Sequence, residues 1–215
     1  MTETSVRPSS LSRERSRCVH PRKLVRCLST LADVQAERHT TISTGGSCVR
    51  IPTSLQFNSH MNIFYLHDDP HVAATYMYNK HVVKMILESA QMLCTAHHHY
   101  GNHEVPYKKA HYNHPSTIWT RSSRNHYYWL YLHMMALGEE YTRRYGKVHS
   151  SITKCGDVLR HAPEGMPNLP FEQPPQCMPD EYKDPCSVTA YWNYYIGDKY
   201  SVANSDEQIK TAHFT

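Results

Sequence analysis

Four side chains able to do chemistry recur at helical spacing in the stretch NKHVVKMILESAQ: His81, Lys84, Glu88 and Gln91. At about 100° per residue they fall within an arc of about 80°. A carboxylate one turn from a lysine and two turns from a histidine can work as a general acid or base if burial raises its pKa. The lysine can act as an amine nucleophile if desolvation lowers its own. The plainer alternative is a structural Lys84–Glu88 pair and a hydrogen-bonded histidine. Val82, Val83, Met85, Ile86, Leu87, Ala90, Met92 and Leu93 spread over most of the remaining circumference. A helix apolar nearly all round is a core helix, so a reactive stripe along it is expected to line a cleft.

A second cluster follows in YKKAHYNHP, where Lys108, Lys109, His111, Asn113 and His114 crowd into one loop, with Arg121 and Asn125 just beyond. These residues, with Gln91, are candidate substrate-binding groups. Lys108, Lys109, Arg121 and Arg124 can bind phosphates, with Tyr107, Tyr112 and Trp119 as stacking faces. A solvated loop is the bland counterpart. His-x-x-His spacing can also hold a metal, so a metal- or small-molecule-dependent enzyme centred on His81, His111 and His114 stays open. Neither HExxH nor a Cys/His zinc spacing is present, and no metal or cofactor is expected for the preferred reading.

The elements that must position these groups are helical. Asp69-Pro70 offers an N-cap and first-turn proline, predicting a helix from there to about His98, broken by Gly101-Asn102. A second long helix is predicted from Pro115-Ser116 to about Tyr145, stopped by Gly146, with Glu140 and Arg144 as an i,i+4 pair. A weaker helix is expected over 150–160, and a short aromatic one in SVTAYWNYYIGDKY. Residues 162–186 carry seven of the thirteen prolines and read as an irregular loop. The expectation is an all-α domain over residues 61–200, with a frayed tail at 201–215.

Composition separates off residues 1–60. They hold nine Lys+Arg against four Asp+Glu and one aromatic, Phe57, whereas all sixteen tyrosines and three tryptophans follow Met61. Residues 61–215 hold fourteen basic against fifteen acidic residues, a net charge of −1. The basic excess thus belongs to the first segment, which reads as a disordered arm, a transit-like sequence or a non-native extension. A net −1 counts against tight duplex binding and less against a nucleotide-sized substrate. Seven unclustered cysteines without CxxC argue against a disulfide framework and fit a reducing compartment. No signal-peptide core or run of 18 apolar residues is present, so no membrane is expected and a cytoplasmic location fits.

From Met61 to about Tyr200 the chain resembles a family of uncharacterised bacteriophage proteins. The residues that carry this are MNIFYLHDDP, NKHVVKMILESAQMLCTAH, YKKAHYNHP, EEYTRRYGKVH and MPDEYK. The layout is also similar to the phage pyrimidine-dimer DNA glycosylase, endonuclease V. That all-α enzyme too begins with a short apolar segment, then a helix with His and, seven residues on, the catalytic Glu, the spacing of His81 and Glu88. The late aromatic stretch Trp192, Tyr194, Tyr195, Gly197, Lys199 corresponds as well. The arginines beside that enzyme's glutamate are missing, with Met85 and Leu87 in their neighbourhood.

That resemblance implies glycosidic-bond cleavage on nucleic acid, or on nucleotides: an N-terminal α-amine attacks the sugar C1′ and Glu88 stabilises the cationic intermediate. His81 and Lys84 would assist. The equivalent amine exists only if the chain starts at Met61, placing Met61 or Asn62 at its terminus; otherwise Lys84 is the poorer candidate. A non-catalytic phage interaction protein is the third alternative.

Overall fold

The computed structural model describes residues 61–200; the N-terminal extension and the 201–215 tail fall outside them. The described residues form helices and loops, with no strand. The segment 61–66 is irregular and almost fully buried, as its run of apolar residues requires. Six helices follow: α1 (Pro70–Thr75), α2 (Asn79–His99), α3 (Pro115–Ser122), α4 (Arg124–Tyr145), α5 (Ser150–Cys155) and α6 (Ser187–Gly197). A single 3-10 turn, Asp180–Tyr182, interrupts the Pro-rich loop. Helix α4 is the central support, packing on α1, α2 and α3 through Tyr127, Leu130, Met134, Leu137 and Tyr141.

Two expected helices are each divided in two, and in both cases a tertiary partner takes over the backbone. Asp69 caps α1, its Oδ1 accepting from His71 N at 2.8 Å and Val72 N at 3.3 Å. The chain then leaves the helix at Tyr78 (φ −61°, ψ 149°), whose N–H donates to the Tyr195 hydroxyl at 2.8 Å. Arg144 donates to Met77 O and to Asn79 Oδ1, both at 2.8 Å. Its guanidinium also holds Glu140 at 2.5 Å, with side-chain exposures of 10% and 8%. The Glu140–Arg144 pair is therefore a buried clamp on the α1–α2 break, not a surface pair of small worth.

The second division falls at Ser123 (φ −153°, ψ 146°). Its hydroxyl accepts from Asn125 N at 3.2 Å, capping α4, and donates to Leu169 O at 2.9 Å. Residues 162–186 are indeed irregular but are strapped down: Trp119 Nε1 donates to Glu172 O, and Arg124 N to Pro167 O, each at 2.9 Å. The weak helix expected over 150–160 is shorter, ending at Cys155. Gly101 (φ 85°) and Gly146 (φ 66°) take the left-handed conformations that follow α2 and α4, which a side chain would strain.

Helix α2 is less completely enclosed than its sequence suggests. Val83 and Leu87 are each 38% exposed and share one face with Lys80 and Lys84, while Val82, Met85, Ile86 and Leu93 are buried. Cys94, Cys155 and Cys177 are free thiols, whereas Cys186 is disulfide-bonded.

Candidate active site

The buried segment 61–66 lies against α2, and its second residue faces the carboxylate. Glu88, 7% exposed, accepts from the backbone N–H of Asn62 at 3.2 Å through Oε2. Its Oε1 is 3.1 Å from Lys84 Nζ. Lys84 is 55% exposed, so the pair runs from a buried carboxylate outward to solvent. One carboxylate thus spans two nitrogens, one from the main chain and one from the helix stripe.

Asn62 is held by its own side chain. Its Oδ1 accepts from Ile63 N at 2.8 Å and Phe64 N at 3.2 Å, a local turn of the kind asparagine favours. Its Nδ2 donates to Cys177 O at 3.0 Å, anchoring it to the Pro-rich loop. Phe64 consequently sits at φ 52°, a left-handed conformation rare for a bulky residue. Its ring stacks on His81, with centroids 4.6 Å apart and planes 13° apart. Strain of this kind clusters at functional sites, where surrounding contacts hold it in place.

His81 is buried beneath that ring, with Nδ1 2.8 Å from the Tyr195 hydroxyl on α6. Burial, and then the nearby positive charges of Lys199 and Lys84, push its pKa down to about 4. The imidazole is neutral near pH 7. Tyr194 completes the aromatic wall against Phe64, and the Lys199 ammonium lies 4.7 Å from the Tyr194 ring centre.

His81, Lys84 and Glu88 are thus brought together with Asn62, while Gln91, one turn further, is half-buried. The loop candidates divide. Lys108, His111 and Asn113 are exposed, with His111 at φ 45°. Arg121 bonds Tyr112 O at 2.5 Å and lies 4.0 Å from the Tyr112 ring centre. Asn125 Nδ2 bonds Leu169 O at 2.6 Å. Both therefore make structural contacts in this conformation. His114 caps α3 through Ser116 N at 3.2 Å, and its buried Nε2 has no hydrogen-bond partner. Burial, then His111, lowers its pKa.

The loop approaches the site at two points. Thr95 Oγ1, on α2, donates to Ala110 O at 3.1 Å and accepts from Ala110 N at 3.0 Å. Ser116 Oγ contacts Cys177 Sγ at 3.4 Å, and Cys177 O in turn holds Asn62. Among the described residues no three His, Cys, Asp or Glu side chains converge as a metal site, so His81, His111 and His114 do not form the metal group of the alternative reading.

Residues 61–154 match the family model for pyrimidine dimer DNA glycosylase. No curated protein and no solved structure matches the chain. The glycosylase match spans Asn62, His81, Lys84 and Glu88. Cys177, Tyr195 and the rest of α6 lie beyond the matched residues. No helix among the described residues is long and apolar enough to cross a membrane.

Asn62, Phe64, Cys177 and Tyr195 escape a residue-by-residue reading. Asn62 acts through its backbone nitrogen, which any residue possesses. Phe64 and Cys177 act through conformation and a carbonyl. Only Tyr195 carried a signal, as one member of the late aromatic stretch.

Proposed function

We propose that this chain is a phage-type DNA glycosylase with lyase chemistry, working on damaged nucleic acid in the host-cell cytoplasm. The observation that carries this is Glu88 lying between Asn62 N at 3.2 Å and Lys84 Nζ at 3.1 Å. A free amine at that place attacks the deoxyribose C1′, forming a C1′–N bond. The bond to the base breaks, its electron pair leaving with the base, which takes up a proton. The C1′–O4′ bond then breaks, its electron pair going to O4′, which takes up a proton, and the nitrogen lone pair forms a cationic imine that the Glu88 carboxylate stabilises in a water-poor setting.

Which nitrogen attacks follows from charge. Lys84, as an ammonium in its ion pair, has no lone pair to offer. An α-amine has a pKa near 7.7–8.0 against about 10.4 for lysine, so far more of it is unprotonated at neutral pH. In the 215-residue chain the Asn62 nitrogen is a peptide amide and cannot attack; the chemistry requires a terminus at position 61 or 62. His81 and Lys84 assist at the reacting sugar. Residues 61–215 carry a net charge of −1, and the lysines around the site are each paired with a carboxylate: Lys84 with Glu88, Lys183 with Asp180 and Lys199 with Asp198. Gln91, Lys108, His111, Asn113 and His114 are the groups assigned to holding a strand. Arg121 and Asn125 would join them only by exchanging their present partners.

Nicking of ultraviolet-irradiated plasmid tests the reading. Protein beginning at Met61 or Asn62 is expected to nick irradiated and not unirradiated DNA. Equal indifference to both, from protein with an intact helical spectrum, would remove the assignment.

A further inference from the structure

Tyr195 presents its single hydroxyl to three groups at once. It accepts from Tyr78 N–H at 2.8 Å, meets His81 Nδ1 at 2.8 Å and lies 3.5 Å from Met77 Sδ. The peptide N–H can only donate, so it occupies one lone pair of the phenol oxygen. Two arrangements remain. In the first, the phenol proton goes to His81 Nδ1, leaving the imidazole proton on Nε2. In the second, His81 Nδ1–H donates to the phenol, whose own proton turns to the Met77 sulfur. The two give His81 opposite chemistry, since the first makes Nε2 a donor and the second makes it a base.

An imidazole nitrogen is a much better acceptor than a thioether sulfur, which is a weak one. The ring is neutral near pH 7, so one nitrogen must be free to accept. Tyr195 is fully buried, which strengthens the preference for the better bond, and the stacked Phe64 ring fixes the imidazole plane. Among the described residues, Nε2 has no hydrogen-bond partner of its own.

We infer that Tyr195 is a positioning residue that locks His81 in the Nε2–H tautomer, making His81 a hydrogen-bond donor to a substrate oxygen, phosphate or sugar, and not a general base. This rests on the proposed glycosylase reading for its substrate, but not for the tautomer itself. It also gives α6 a task at the site, although that helix lies outside the family match. Such fixing of one ring nitrogen by the bond made at the other is how a protein sets which form of a histidine reaches the substrate.

Long-range proton–nitrogen spectra of the full chain with labelled histidine, assigned by loss of one ring system in His81→Gln, read the tautomer directly. The expected result at neutral pH is a protonated-type Nε2 and an unprotonated-type Nδ1. Met77→Leu is expected to leave that pattern unchanged, and Tyr195→Phe to shift it toward the other tautomer; in protein beginning at Met61 or Asn62, Tyr195→Phe is expected to lower turnover about tenfold, a change of about 1.4 kcal/mol. A protonated Nδ1 in the unaltered chain would overturn the inference, as would a flip caused by Met77→Leu. Because the wild-type spectrum decides the tautomer, misfolding of Tyr195→Phe leaves the test intact. Absence of any DNA activity from protein beginning at Met61 or Asn62, alongside the expected tautomer, would instead count against the glycosylase reading alone.

Discussion

Glu88→Gln keeps the shape of the side chain and removes its charge, and the structure separates its effects on stability and on chemistry. Lys84 is 55% exposed, so loss of its partner costs only a few tenths of a kcal/mol, roughly the value of a solvated i,i+4 pair. Asn62 N–H keeps an acceptor, but a neutral one, at a cost of about 1 kcal/mol. Together these lower the melting temperature by roughly 3–6 °C for a domain of this size. The protein stays folded at 25 °C. Turnover by the form with a free amine at 61 or 62 should nevertheless fall by about 10²–10³-fold, the range seen when one preorganised charge-stabilising group is lost. Glu88→Ala adds an orphaned Asn62 N–H, about 1–3 kcal/mol more in stability, with no further loss of rate. Initial nicking rates on irradiated DNA, taken beside thermal melts of the same samples, check both. A Gln variant within about fivefold of the parent rate would refute the reasoning and leave Glu88 as a structural carboxylate.

Three further outcomes follow from the described contacts. His81 and His133 both titrate near 4, each through burial first, against an ordinary value of 6.5. The unfolded chain therefore binds more protons between those values, so stability is complete above about pH 6.5 and falls as pH drops toward 4. At pH 5 each histidine costs about 2 kcal/mol, and melts at pH 7.5 and 5 should differ accordingly, with His133→Phe flattening the slope. Arg144→Met strips the clamp on Thr75, Met77 and Asn79 and leaves the buried Glu140 with Arg143, a loss of about 3–5 kcal/mol measurable by urea unfolding. Imine chemistry needs no metal, so DNA nicking should persist in EDTA; abolition by the chelator, with recovery on adding zinc, would return the loop histidines to the centre.

The helical class, the buried opening segment and the grouping of His81, Lys84 and Glu88 were legible because each is written in local period: apolar runs at three- and four-residue steps, and a reactive stripe at 81, 84 and 88. The breaks at Tyr78 and Ser123 were not. Each depends on a partner distant in sequence, Tyr195 and Arg144 in the first case and Leu169 in the second, and continuous helical propensity hides them. Arg144 shows the same limit, since its spacing from Glu140 says nothing about burial. Arg121 looked like a free cation at a helix start, but it folds back on Tyr112, which no spacing reveals. The Glu88–Asn62 contact was approachable only through resemblance, because a backbone nitrogen leaves no trace in residue type.

The central claim is that Glu88 serves an amine at the start of the 61–66 segment. Incubating protein that begins at Met61, and protein that begins at Asn62, with abasic-site DNA and borohydride, then mapping any adduct by peptide mass spectrometry, tests it directly. The account predicts a covalent adduct on the terminal residue, lost in Glu88→Gln and absent from the full 215-residue chain. An adduct on Lys84 in every form, or none from folded protein, would contradict it.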